Sequence, residues 1–357
     1  MAADGSGSDK TLGNIQWSSD PVVLRYQIIA YGLKPGERRT FVDETYLRLP
    51  WANKVDHAVA TVKKMPRGAR QEHHQRIEGP PRAGKTASLR SLVRSSMPVR
   101  NRDGLHVPVA YFQMPSVPDP ASISTAILYG IGDPTWQMKR PRSERVIYVS
   151  EALQRVGAEI LCTDDFHHLV DARGQKVQHV AADYFKELGF YFGGTLLFSG
   201  LERMKLAFET NEQLGGRTEP PIHFPRLDWR LVKTDRPLFL KIVESLLEEF
   251  ERHGFSIMKI SSGLFYRFYC STGGLIGYVV RVLRAGALIC ETRKKALDLE
   301  VIRKAVRGVV TKQWPGGIDP FHEEFPTVES PETLALSERI GTGLGPGNDK
   351  AKHATRS

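Results

Sequence analysis

The chain has 357 residues, enough for one large or two moderate domains with a substantial core. It is 41% hydrophobic and 25% charged, an ordinary soluble composition, and no stretch approaches the roughly 18 apolar residues that would suggest a membrane span. The formal net charge of +10 points to a polyanionic partner, with nucleic acid the leading candidate and a merely basic surface the alternative.

Residues 1–20 are small and polar, rich in Gly, Ser and Asp, and are expected to be disordered. They contain no apolar h-region, so no secretory signal is expected. Cys162, Cys270 and Cys290 are odd in number, scattered and without metal-ligand spacing, which suits reduced thiols in a cytoplasmic protein.

From 21 to 231 the pattern alternates between strands and helices. A short strand candidate, Arg76–Glu78, runs into Gly79-Pro80-Pro81-Arg82-Ala83-Gly84-Lys85-Thr86, a full match to the phosphate-binding pattern G-x-x-x-x-G-K-[ST]. Glycines at both ends let the backbone wrap a phosphate. Leu89, Leu92 and Val93 then recur at helical spacing, so a helix offers its positive end to the anion, and the loop with Ala87 after it is the candidate nucleotide-binding segment. Further strand candidates are Val107–Met114, Glu159–Thr163, Thr195–Ser199 and Ile222–Leu227. Two of these are short apolar runs of the kind buried on both faces of a parallel sheet. Stripes at Val146, Val149, Leu153 and Val156, and from Val177 to Leu188, predict the intervening helices.

From 234 to 310 the pattern is helical throughout. Helices are predicted around Leu238–Phe250, around Leu264–Phe268 up to Gly273-Gly274, around Ile276–Leu283, and after an Asp298 N-cap. Residues 311–357 carry Pro-Gly-Gly, Ser-Pro and Gly-Pro-Gly breakers and are expected to be a flexible tail, with Glu332–Ile340 read as a linker or a short docking helix. The predicted fold is α/β: a P-loop NTPase three-layer αβα sandwich with a parallel sheet, followed by a small all-α lid bundle. This is the architecture of AAA+ ATPases.

Several residue types suit nucleotide chemistry. Lys85 brings positive charge to the β/γ-phosphates of ATP, and the Thr86 hydroxyl is a Mg²⁺ ligand. Glu159-Ile160-Leu161-Cys162-Thr163-Asp164-Asp165 is an apolar strand ending in paired acids, a Walker B arrangement. There Asp164 holds Mg²⁺ and Asp165 polarises the attacking water. His167 and His168 are read as relays of nucleotide state or as surface residues, because no suitably spaced acid or Cys completes a metal site. Ser199 is the available hydroxyl for a sensor, Leu201 being unable to serve. Arg217 is a candidate arginine finger, with Arg203 and Arg226 as rivals. Arg281 is a candidate phosphate contact from the lid.

These motifs, with Val107-Pro108-Val109 leading to Gln113-Met114-Pro115, Asp164-Asp165-Phe166-His167-His168-Leu169, Ser199-Gly200-Leu201-Glu202-Arg203, Arg217 ahead of Phe224-Pro225-Arg226-Leu227, and Thr272-Gly273-Gly274-Leu275-Ile276-Gly277, resemble the TniB/TnsC group of AAA+ transposition ATPases over about residues 45–310. The resemblance implies ATP-dependent oligomerisation on double-stranded DNA as a ring or filament. It also implies recruitment of a TniQ-like targeting factor and activation of a transposase. Two departures stand out. Asp165 occupies the place of the usual Glu, which implies slow hydrolysis, and Leu201 stands where a Thr often follows the glycine. The competing readings are an ATP-bound, replication-initiator-like DNA scaffold or loader with little turnover, and a small-molecule P-loop kinase.

Overall fold

A computed structural model describes residues 15–341, apart from 38–39, 44–46, 48, 172–174, 259–261, 311–313, 315–318 and 327–328. Its strands are β1 (Gln75–Glu78), β2 (Val99–Asn101), β3 (Gly104–His106), β4 (Val109–Gln113), β5 (Ile160–Asp164), β6 (Thr195–Gly200) and β7 (Ile222–His223). The helices of the first part are α1 (Pro21–Tyr31), α2 (Pro50–Lys63), α3 (Lys85–Ser95), α4 (Pro120–Gly130), α5 (Arg142–Arg155), α6 (His168–Asp171), α7 (Gln175–Phe192), α8 (Lys205–Glu209) and α9 (Glu212–Gly216). Those of the second are α10 (Asp235–Arg252), α11 (Ser262–Thr272), α12 (Ile276–Arg293), α13 (Leu299–Val309) and α14 (Pro331–Glu338).

Five strands form one sheet in the order β4-β5-β6-β1-β7, with every pairing parallel. Because side chains alternate across a strand, neighbouring residues of β6 serve different layers. Phe198 packs its ring against Phe166, Phe185 and Phe208 on the α7 side, whereas Ser199 faces the opposite layer, where α3 lies against β4, β5 and β6. Helices α1 and α2 flank α3, and α4, α5 and α7 pack together on the other face. β5 and β6 are buried along their whole lengths, as the apolar runs require. β2 and β3 form a separate antiparallel hairpin.

The strand predicted over Ile222–Leu227 ends after His223. Phe224 still donates its N–H to Glu78 O at 2.7 Å, but Pro225 has no N–H to continue the ladder, and Leu227 donates instead to Gly274 O in the helical region. Helices α10–α13 pack on one another, with Phe239, Leu246, Phe268, Val279, Leu283 and Ile302 buried in a core continuous with that of the sandwich. Asp298 caps α13 by accepting from Val301 N–H at 2.8 Å. No single helix among the described residues is long and apolar enough to cross a membrane.

Two expectations about the ends need correction. Residues 1–14 lie outside the described residues, but Asp20, placed in the disordered stretch, caps α1 through the Val22 and Val23 N–H groups, and Trp17 packs edge-on against Tyr31. Of the expected tail, residues 342–357 lie outside the described residues, and the described part contains α14, which packs on α11 as the short-helix alternative would have it. There Leu334 and Ile340 are buried, and the Ser330 hydroxyl accepts from Thr333 N–H at 3.1 Å as an N-cap. Ser330-Pro331, read as a breaker, is an N-cap followed by proline at the first helical position.

Candidate nucleotide site

The phosphate loop joins β1 to α3. At Gly79 an added Cβ would fall 2.2 Å from Phe224 O, so the edge segment after β7 closes on the loop as only glycine allows. Gly84, at φ 100°, turns the chain into α3. Pro80 and Pro81 carry no N–H, so after Gly79 the loop's backbone donors are those of Arg82, Ala83, Gly84, Lys85 and Thr86. The Lys85 ammonium donates to Gly79 O at 2.8 Å and Pro80 O at 2.7 Å. Burial pushes its pKa down to about 8, against the attraction of Asp164, Asp165 and Glu202.

Asp164 ends β5 with only 3% of its surface exposed. Its Oδ1 accepts from the Ser199 hydroxyl at 3.1 Å and from Asp165 N–H at 3.0 Å; its Oδ2 accepts from the Tyr111 hydroxyl at 3.1 Å. The Thr86 hydroxyl, at the start of α3, lies close enough to this carboxylate to favour its ionised form. Burial, and secondarily the adjacent Asp165 charge, raise the Asp164 pKa above the usual carboxylate range. A buried carboxylate beside a second one and next to a helix-borne hydroxyl is an oxygen donor set that suits Mg²⁺, which would offset the cost of both charges. Thr86 and Asp164 are the residues that would hold it.

Asp165 stands at φ 55°, a left-handed conformation in which Asp is one of the better tolerated residues. The turn exposes its carboxylate, and Gln113 Nε2 donates to its Oδ2 at 2.7 Å. In the sequence, Gln113 stands out only through the family resemblance, and Tyr111 does not stand out as a site residue. The available signal was the alternation along β4, which buries Ala110 and Phe112 and turns Tyr111 and Gln113 to the other face. His167 Nδ1 lies 4.0 Å from Asp165 Oδ1, has no hydrogen-bond partner and has its pKa lowered by burial. His168 Nδ1 lies 3.3 Å from Met114 O. No group of three metal-binding side chains occurs among the described residues.

The predicted arginines separate clearly. Arg217 lies beyond the opposite end of β1 from the phosphate loop, where its O accepts from His74 N–H at 2.9 Å and its Nε sits 3.6 Å from Glu72 Oε1. It therefore stands away from its own Lys85. Arg203 is held bidentately by Asp171 at 2.6 and 2.5 Å. Arg226, weighed as a rival finger, is directed inward, donating to Gly273 O at 2.7 Å and Ile340 O at 2.6 Å. Arg281 is close enough to Arg82 for the two charges to repel; burial first, then Arg82, lowers its pKa. The lid meets the loop directly, because Gly277 N–H donates to Arg82 O at 2.8 Å.

A sequence profile described as bacterial TniB protein matches residues 40–228. Among solved structures, the chain is similar to the ORC2 protein of Aeropyrum pernix in its ADPNP-ADP complexes. That similarity has a TM-score of 0.53 at 16% identity, over 77% of this chain and 73% of that one. It is also similar to Cdc6p from Pyrobaculum aerophilum, with a TM-score of 0.50 at 16% identity over 79% and 71%. A sequence comparison with curated proteins finds no match. At these identities the structural likeness speaks for the fold, a P-loop sandwich of the AAA+ type with a helical region after it.

Proposed function

The chain belongs to the TniB family, and from that premise we propose that it is an AAA+ ATPase that assembles on double-stranded DNA in its ATP state and licenses transposition. The observation that carries this reading is the meeting of Thr86, Asp164 and Ser199 beside Lys85, at the C-terminal ends of a parallel sheet. Ligands of open α/β sheets bind at that edge.

In this reading the amides of Arg82–Thr86 and the Lys85 ammonium bind the phosphates, while Thr86 and Asp164 hold Mg²⁺. The ion, when bound, neutralises charge on the phosphate oxygens. Asp165, aimed by Gln113, accepts a hydrogen bond from the attacking water and so polarises it. Ser199 orients Asp164. Arg281 and Arg82 meet the phosphates from the lid side, and Arg217 reaches the nucleotide of a neighbouring copy, where its guanidinium suits developing charge. ATP shared between copies would stabilise the oligomer by linkage. The net charge of +10 supports contacts to the DNA backbone. The family supports a transposase and a TniQ-like targeting factor as partners.

A second reading, an ATP-bound DNA scaffold or loader with little turnover, draws on Asp165: its carboxylate is one methylene shorter than Glu and is already engaged by Gln113. Electron microscopy with duplex DNA and ATP, ADP or a non-hydrolysable analogue tests the assembly. Ordered oligomers with ATP and the analogue, absent with ADP and dissolving steeply with salt, support it. DNA assemblies indifferent to nucleotide overturn it. An ATPase assay with and without DNA separates the two readings.

A further inference from the structure

We propose that Arg226 is a positioning residue for the nucleotide site, and that the C-terminal strap carrying α14 sets nucleotide affinity through it. The inference rests on the reading that the phosphate loop binds ATP. It accounts for three features that reading leaves unused: an inward-facing arginine, a paired glycine corner, and a packed tail.

Arg226 follows β7, one residue before the chain leaves the sandwich. One arm of its guanidinium donates to Gly273 O at 2.7 Å, at the corner between α11 and α12, and the other donates to Ile340 O at 2.6 Å, just past α14. A charged donor shared by two carbonyls is a strong tie, and the planar fork fixes both directions at once. The backbones on either side are in near contact. A Cβ at Gly273 would lie 2.5 Å from Ser337 O, and a Cβ at Gly274 would lie 2.1 Å from Leu227 O. Leu227 N–H donates to Gly274 O at 3.1 Å. Gly273 and Gly274 both have positive φ, 59° and 70°. Sandwich, lid corner and strap thus meet where side chains have been removed.

Two residues after that corner α12 begins, and its first turn touches the phosphate loop. Gly277 donates to Arg82 O, and a Cβ there would stand 2.5 Å from the same oxygen. A shift at Gly273 therefore moves Gly277 and Arg281 against the loop, since a helix turn transmits displacement rigidly. The strap is held independently of Arg226. Arg267 donates to Pro320 O and His322 O, Asp319 pairs with Arg303 and Arg307, and Glu329 pairs with Arg236. Phe321 and Phe325 are buried against the lid.

The test uses full-length Arg226→Ala, Arg226→Lys and Ile340→Asp proteins. Fluorescent ATP titration is read alongside backbone amide exchange. In the Ala and Asp variants, ATP should bind about tenfold more weakly, with faster exchange over 273–283 and unchanged protection in β5 and β6. Arg226→Lys should recover part of the affinity, because an ammonium can still serve two carbonyls. Wild-type affinity in Arg226→Ala and Ile340→Asp overturns the proposal, as does a loss accompanied by uniform deprotection of the sheet. If the unaltered protein fails to bind ATP, the nucleotide-site reading itself falls, a different result from either.

Discussion

Gln113 Nε2 donates to Asp165 Oδ2 at 2.7 Å, so the side chain that ends one strand aims the carboxylate just past the end of its neighbour. Asp165 is a short acid on a left-handed turn, and its direction depends on this contact. Gln113→Leu should lower kcat for ATP hydrolysis about tenfold, less than the roughly 10²–10⁴-fold a general base contributes, because the base is misdirected and not removed. ATP affinity should stay within about twofold. Paired turnover and binding measurements check this, and equal loss in both would show that Gln113 acts on binding.

Asp164 pays for its burial in the absence of a cation. Its pKa is raised, so its ionised form costs stability that grows as pH rises through the carboxylate range toward neutrality. Asp164→Asn should therefore melt higher than the unaltered protein in chelator at pH 7.5. Added Mg²⁺ and ATP should stabilise the unaltered protein and leave the variant nearly unmoved. Calorimetry with and without the metal reads both effects.

Gly79→Ala tests how tightly the loop is wrapped. The new Cβ meets Phe224 O at 2.2 Å, a backbone atom that cannot swing aside. The expected loss is about 2 kcal/mol or more in urea unfolding, with nucleotide binding lost as well. A variant that folds and binds normally would show that the approach of β7 is not required.

His74 gives the fold an acid sensitivity unrelated to the nucleotide. Its ring is fully buried, its Nδ1 accepts from Leu196 N–H at 3.3 Å, and burial drops its pKa from 6.5 to about 3. Below pH 6.5 the unfolded chain takes up a proton that the folded chain refuses, so stability falls as pH drops, by about 2 kcal/mol from this residue between pH 7 and pH 5. His74→Asn keeps an acceptor for Leu196. Its urea midpoint should change less over that interval than that of the unaltered protein.

The fold and the placing of the candidate site residues were legible where local pattern and tertiary role agree. The loop after β1 and the Ile160–Asp164 strand declare themselves because a glycine-bounded loop entering a helix and burial on both faces each demand particular residue types. Helix α1 was missed because Pro21–Tyr31 is apolar on most sides, although Asp20, Pro21 and the left-handed Gly32 were capping signals in plain view. For α14 the sequence leaves linker and short helix both open, because Ser330-Pro331 is punctuation of two kinds, and packing against α11 decides for the helix. Arg226 could not be sorted from Arg217 by sequence, since each precedes or follows the same short strand. What distinguishes them is the direction of the side chain, set by carbonyls from residues 47 and 114 positions away.

The most direct measurement is calorimetric ATP titration of the unaltered protein and of Lys85→Ala, with sedimentation on duplex DNA of the same samples. The account predicts Mg²⁺-dependent ATP binding and ATP-dependent growth of the DNA-bound species for the first protein, and neither for the second. Lys85→Ala protein that still assembles on DNA in response to ATP would contradict it.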